Sequence, residues 1–197
     1  MEQFFLMALF ALSMSISPGP VNIIALSSGL NHGISRSVGF VSGATIGFSL
    51  LLLLIGLGLQ NFAEDNEILF DTLTVFGVTL ILYFGYKLLK FDGELVGSEI
   101  PVPSFFQGFS LQWLNPKAWG ACLAAISLFN LEQSRSDLYF FVFLYFFICF
   151  IGIGSWSVFG KQAERWLNSK KRRRLFNSLL GILLILLALF LLVQNFR

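Results

Sequence analysis

Apolar stretches of roughly 20 residues recur along this chain, each long enough to cross about 30 Å of hydrocarbon. They cover residues 4–28, 38–59, 68–89, 105–131, 138–160 and 175–193. The pattern predicts an all-α integral membrane protein with six transmembrane helices. Composition excludes the competing class, a soluble fold with a large core. Only 12% of the residues are charged and 56% are hydrophobic, against about 25% charged in a soluble domain. Mean hydropathy is +0.78. The start, Met1-Glu2-Gln3, carries no basic residue, so the first stretch reads as a span and not as a cleaved leader.

Two of the stretches are interrupted. Ser17-Pro18-Gly19-Pro20-Val21-Asn22 lies in the middle of the first, and Asn115-Pro116-Lys117 in the middle of the fourth. Proline inside a helix removes a donor and clashes with the preceding turn, so each motif ends one helical segment and starts another. In hydrocarbon such a break is tolerated only where the freed backbone groups face protein, a cavity or a ligand. Paired breaks in corresponding helices of two halves point to a transporter's binding site.

Lysine and arginine set the expected orientation. Arg36 lies in loop one, Lys87 and Lys90 in loop three, and Lys161, Arg165 and five cations at 170–174 in loop five. The opposite side has Arg135 and Arg197. This asymmetry predicts cytoplasmic loops one, three and five, with both termini outside. The acidic residues Glu64, Asp65, Glu67, Glu132 and Asp137 fall in or beside loops two and four. The basic run 170–174 fits a cytoplasmic anchor attracted to anionic lipid, and nothing in the charge pattern suggests nucleic acid.

Each half then has three spans, the first of them broken. Because three is odd, the second half enters from the opposite face, which predicts two inverted repeats. A single domain over 1–197 would comprise repeat one (about 1–90), a connector (about 91–104) and repeat two (about 105–197). In the second span Gly39, Gly43 and Gly47 recur at every fourth position, a spacing that lets a neighbouring backbone approach. Cys122 and Cys149 sit inside apolar stretches without CxxC spacing and read as packing. His32 falls in a polar loop with no second metal ligand nearby, so neither a metal nor a cofactor is expected.

The chain also resembles the LysE/RhtB family of amino-acid exporters. The likeness is carried by Ser17-Pro18-Gly19-Pro20, by Tyr83-Phe84-Gly85-Tyr86-Lys87-Leu88-Leu89-Lys90 and by Asn115-Pro116-Lys117-Ala118. The glycine-spaced second span and the length of 197 residues fit as well. The resemblance implies export of amino acids or related metabolites across the bacterial inner membrane, driven by protons. It makes Pro18, Gly19, Pro20, Asn115, Pro116 and Lys117 the candidate functional positions. One departure is Phe48, where many members carry an acidic or other polar residue after the last glycine.

The residues suggest a mechanism independently. After each break a half-helix begins, with unpaired amides and the positive end of its dipole turned inward. Two such ends would hold a carboxylate, with Asn22 and Asn115 adding hydrogen bonds. Lys117 is the only lysine or arginine deep in a span, where a charge costs about 2.5–3.5 kcal/mol on insertion scales. It is expected to face the interior, either holding the substrate or satisfying carbonyls freed by a break. Asp71 is the nearest acidic candidate by sequence. With no clearly buried acid, neutral amino acids are favoured over cationic ones. The rival readings are export of another solute or a metal cation, and a membrane thiol–disulfide carrier. Homo-oligomerisation is left open.

Overall fold

The computed structural model describes residues 2–59, 67–92, 101–167 and 169–195, and within these it is helical without strands. The helices are α1 (Glu2–Ile16), α2 (Pro20–His32), α3 (Ile34–Leu54), α4 (Glu67–Lys90), α5 (Phe105–Trp113), α6 (Pro116–Leu128), α7 (Arg135–Ala163) and α8 (Lys170–Asn195). The two motifs divide their stretches as expected, into α1 and α2 and into α5 and α6. Proline opens both second halves, where its missing N–H is not needed and its fixed φ suits the first helical residue. Helices α1 and α2 meet at 62°.

Among the described residues, three single helices are long and apolar enough to cross a bilayer, spanning Ile34–Gly58, Arg135–Ala163 and Lys170–Val193, and the bent α1–α2 pair adds a fourth. The remaining expected stretches are occupied by α4 and by the α5–α6 pair, neither half of which is long enough alone. The outer faces of α1, α7 and α8 expose Phe5, Phe143, Ile151, Leu186 and Phe190, an apolar surface suited to lipid. Asp71 lies within α4, but its side chain falls outside the described residues, as do Glu64, Asp65 and most of the connector.

Helix α3 packs along α5, and glycine decides how closely. A Cβ on Gly43 would overlap the Phe105 carbonyl, and one on Gly47 would stand 2.7 Å from the Phe109 oxygen. Both positions advance together, so α3 and α5 run parallel. Gly39, expected on the same packing face, meets nothing within 4 Å. It precedes the level at which α5 begins, and repeated four-residue steps drift around a helix of 3.6 residues per turn. Glycine is therefore needed for packing at Gly43 and Gly47, not at Gly39.

The other contacts follow a related plan. Helix α7 packs against α1 and α2, α4 packs against α8, and α3 and α7 touch each other. At the α4–α8 crossing Gly85 and Gly181 each lie under the other's carbonyl oxygen. Lys170 at the start of α8 reaches Asp92 just beyond α4 (3.6 Å), which brings loops three and five to one end of the bundle. The start of α3 joins them through its parallel run with α5. At the opposite end, α3 finishes in a π-turn, Ile55–Leu59, with Gly58 at φ 112°. Arg135 at the start of α7 donates from Nη1 to the Gly56 carbonyl there (2.9 Å).

Candidate functional site

A broken helix frees carbonyls, and buried carbonyls need donors. In the first break each of them, from Ser13 to Gly19, has one. The Ser17 amide serves Ser13 at 3.1 Å, and the Ser17 hydroxyl serves Met14 at 2.9 Å. Asn22 Nδ2 donates to the Ser15 oxygen (2.9 Å) and the Ser17 oxygen (2.8 Å). Trp156 Nε1, from α7, reaches the Ile16 oxygen at 3.2 Å. Lys117 Nζ, from the second break, donates to the Ser17 oxygen at 2.8 Å and the Pro18 oxygen at 3.3 Å. The Ile23 amide closes on the Gly19 oxygen (3.0 Å).

The second break is satisfied differently. The Asn115 side chain accepts from the Lys117 amide (3.1 Å) and so caps α6. Trp119 Nε1 donates to the Trp113 oxygen (2.8 Å). The two half-helices are thus unequal. No side chain caps α2, whose N-cap is Gly19, whereas α6 is capped by its own asparagine. Both asparagines singled out from the sequence already serve the backbone, Asn22 through its amide nitrogen and Asn115 through its oxygen.

Pro18, Gly19, Pro20, Asn115, Pro116 and Lys117 come together around one cleft of about 450 Å³, completed by Leu187, Phe190 and Leu191 of α8. Asn22 lies deeper, on a second, smaller space shared with Gly19, Asn115 and Lys117. Lys117 stands where the two meet. Among the described residues no carboxylate lies within ion-pair distance of it; its partners are carbonyl oxygens. An ammonium has three N–H donors, and the two backbone bonds leave one. Gly19 is extended (φ −172°), which any residue can adopt. Its missing side chain matters because a Cβ would stand 3.2 Å from Lys117 Nζ.

Phe48 sits in the wall of the inner space and stacks on Tyr145, with ring centroids 4.4 Å apart. Cys122 and Cys149 are free thiols, 0% and 2% exposed, an environment unsuited to exchange with a partner. His32 is the last residue of α2 and not part of a loop.

Sequence reasoning missed Trp156 and Trp119 as carbonyl donors, and it missed a buried amide cluster toward the basic end. There Asn31 Nδ2 donates to Asn177 Oδ1 (2.8 Å) and Asn177 Nδ2 returns a bond to Asn31 Oδ1 (3.2 Å). Ser27 joins through its hydroxyl. Asparagine on the inner face of an apolar helix was the available signal.

A family model described as LysE type translocator matches residues 12–195. The chain belongs to this family. Curated relatives include a cysteine/O-acetylserine efflux protein of Escherichia coli O139:H28, 28% identical over 179 residues, covering 89% of this chain and 90% of the relative. The protein of the same name from Escherichia coli K12 is 28% identical over 127 residues, 64% of this chain and 65% of the relative. No solved structure matches. The expected resemblance is thereby shown, and with it membership in a group of membrane translocators.

Proposed function

We propose that this translocator exports small neutral amino acids or closely related metabolites across the bacterial inner membrane, coupled to protons. The substrate carboxylate sits where the two breaks meet, between Lys117 Nζ and the uncapped start of α2. One observation carries this reading: a lysine that joins both breaks, has no carboxylate partner among the described residues, and lines an open cleft. A cation held by carbonyls alone keeps most of its charge for an incoming anion, and the α2 dipole adds to it. The efflux role named for the relatives supports the direction.

The architecture of the proposal is two inverted three-helix repeats. One contains α1 to α4 and the other α5 to α8, within a single domain of six spans. The exchange of contacts supports it: α3 packs on the broken helix of the second half, and α7 on that of the first. The α4–α8 crossing at Gly85 and Gly181 pairs equivalent helices. Basic residues gathered at one end support a cytoplasmic location for that end, and the termini then face the periplasm. Alternating access would rock one repeat against the other, with Lys117 binding substrate carboxylate and releasing it when a proton is exchanged.

The test is export from cells expressing the chain and fed dipeptides that load one amino acid at a time. Faster appearance of a small neutral amino acid in the medium, absent with Lys117→Ala at matched membrane levels, is the expected result. No acceleration for any amino acid, despite normal insertion, contradicts the substrate reading.

A further inference from the structure

Helices α2 and α8 run antiparallel, and the seam between them changes character along its length. At one end the cleft separates them, with Pro20 of α2 and Leu187 of α8 on its walls. Asn31 lies eleven residues beyond Pro20, and Asn177 ten before Leu187, about 15 Å along each helix. There the two helices are closed on each other. Asn31 Nδ2 donates to Asn177 Oδ1 (2.8 Å), Asn177 Nδ2 to Asn31 Oδ1 (3.2 Å) and the Ser27 hydroxyl to Asn177 Oδ1 (3.3 Å). All three residues are buried.

This contact is built to separate. Where α2 meets α7 the packing is backbone against backbone, with Gly29 under Ser157 and Gly160 under Leu26, and such a seam parts only by opening a void. The amide seam differs because each asparagine also bonds its own helix. Asn31 Nδ2 reaches the Ser27 carbonyl (2.9 Å) and Asn177 Nδ2 the Arg173 carbonyl (3.0 Å). Water can replace the bonds that cross the seam, so their net contribution is small. A space of about 10 Å³, measured as room for the centre of a water-sized sphere, adjoins Ser27 and is lined by Ser28, His32 and Lys87 as well. One water needs about that much. His32 Nε2 is buried there with no hydrogen-bond partner among the described residues. Polar groups thus continue the seam toward the basic end, and polar side chains inside a membrane protein mark solute pathways.

We infer that Asn31, Ser27 and Asn177 form the cytoplasmic gate of the translocator. This rests on the orientation and the carboxylate site proposed above. With the gate shut, α2 and α8 seal the cleft from the basic end. Parting them there exchanges the three seam bonds for water and lines an entrance with Ser27, Asn31, His32 and Asn177, through which substrate reaches Lys117. Closing restores the bonds behind it.

The test is access to the seam from each side, in vesicles carrying the full chain with Ser27→Cys. The native cysteines are buried and stay in place, and the chain without Ser27→Cys gives the background. A charged, membrane-impermeant thiol reagent should label the new thiol slowly in inside-out vesicles. Adding Asn177→Ala should speed that labelling about five- to tenfold, the effect of two lost hydrogen bonds inside a membrane, with no gain in right-side-out vesicles. Equal labelling with and without Asn177→Ala, or a gain in right-side-out vesicles, overturns the gate. A second arm locks the seam. Asn31→Cys with Asn177→Cys, bridged by a short cleavable thiol crosslinker, should stop amino-acid export, and cleaving the bridge should restore it. Export that continues across the bridge shows a static contact and overturns the gate. Export absent before bridging contradicts the proposed transport reading instead, and the labelling arm then decides the gate.

Discussion

Lys117 Nζ donates to the Ser17 carbonyl oxygen at 2.8 Å, across one hundred residues of chain. The contact ties the first break to the second and makes one lysine both a structural clamp and the free charge of the cleft. These roles separate by substitution. Lys117→Met removes the two charge-assisted hydrogen bonds to the Ser17 and Pro18 carbonyls, and a hydrogen bond to a charged group contributes about 1.5–3 kcal/mol. Lys117→Gln retains a donor without the charge. Thermal unfolding of the solubilised protein should show the methionine variant destabilised and the glutamine variant closer to the original. Export should be lost in both.

Gly19 gives a more local probe of the same lysine. An added Cβ would press on the Lys117 side chain at 3.2 Å from Nζ, a flexible end that can move aside. Gly19→Ala should therefore fold normally and insert at ordinary levels while export falls severalfold. Normal export in that variant would show that the lysine's position is not critical.

The α3–α5 seam predicts a contrast between two glycines of one pattern. Gly43→Ala drives a methyl into the Phe105 carbonyl, backbone that cannot rotate away, and overpacking of this kind costs about 1–3 kcal/mol. Gly39→Ala enters open space and should stay within about 0.5 kcal/mol. Unfolding temperatures of the two variants, measured side by side, check this directly.

Asn31 and Asn177 exchange two hydrogen bonds between α2 and α8. Interhelical hydrogen bonds in membranes average about 0.6 kcal/mol and reach about 1.7. A double-mutant cycle with Asn31→Ala and Asn177→Ala should give a coupling energy in that range, and additive effects would mean that the pair does not hold the helices together. Both variants loosen the basic end of the bundle, away from the cleft.

The parts of this fold legible in the sequence are those written in local chemistry. Pro18, Pro20 and Pro116 announce where helices stop and start, and apolar length announces the helices themselves. Clustered lysine and arginine mark one end. What the sequence did not disclose are partners set by packing. Nothing local says that Trp156 serves the Ile16 carbonyl, or that Asn31 finds Asn177 146 residues away. The glycine pattern showed the same limit: its spacing placed Gly39 with Gly43, but only the start of α5 decides which glycines are covered.

The central claim is that Lys117 and the start of α2 hold a carboxylate, and the most direct measurement removes that carboxylate from the ligand. Purified protein would be unfolded thermally in the presence of serine or of serinamide, which keeps the amine and side chain but loses the anion. A ligand that binds the native state raises the unfolding temperature, with a stabilisation that grows as the logarithm of its concentration over its Kd. The account predicts stabilisation by serine, little or none by serinamide, and loss of the serine effect in Lys117→Gln. Equal stabilisation by both ligands, or a serine effect unchanged in the variant, would contradict it.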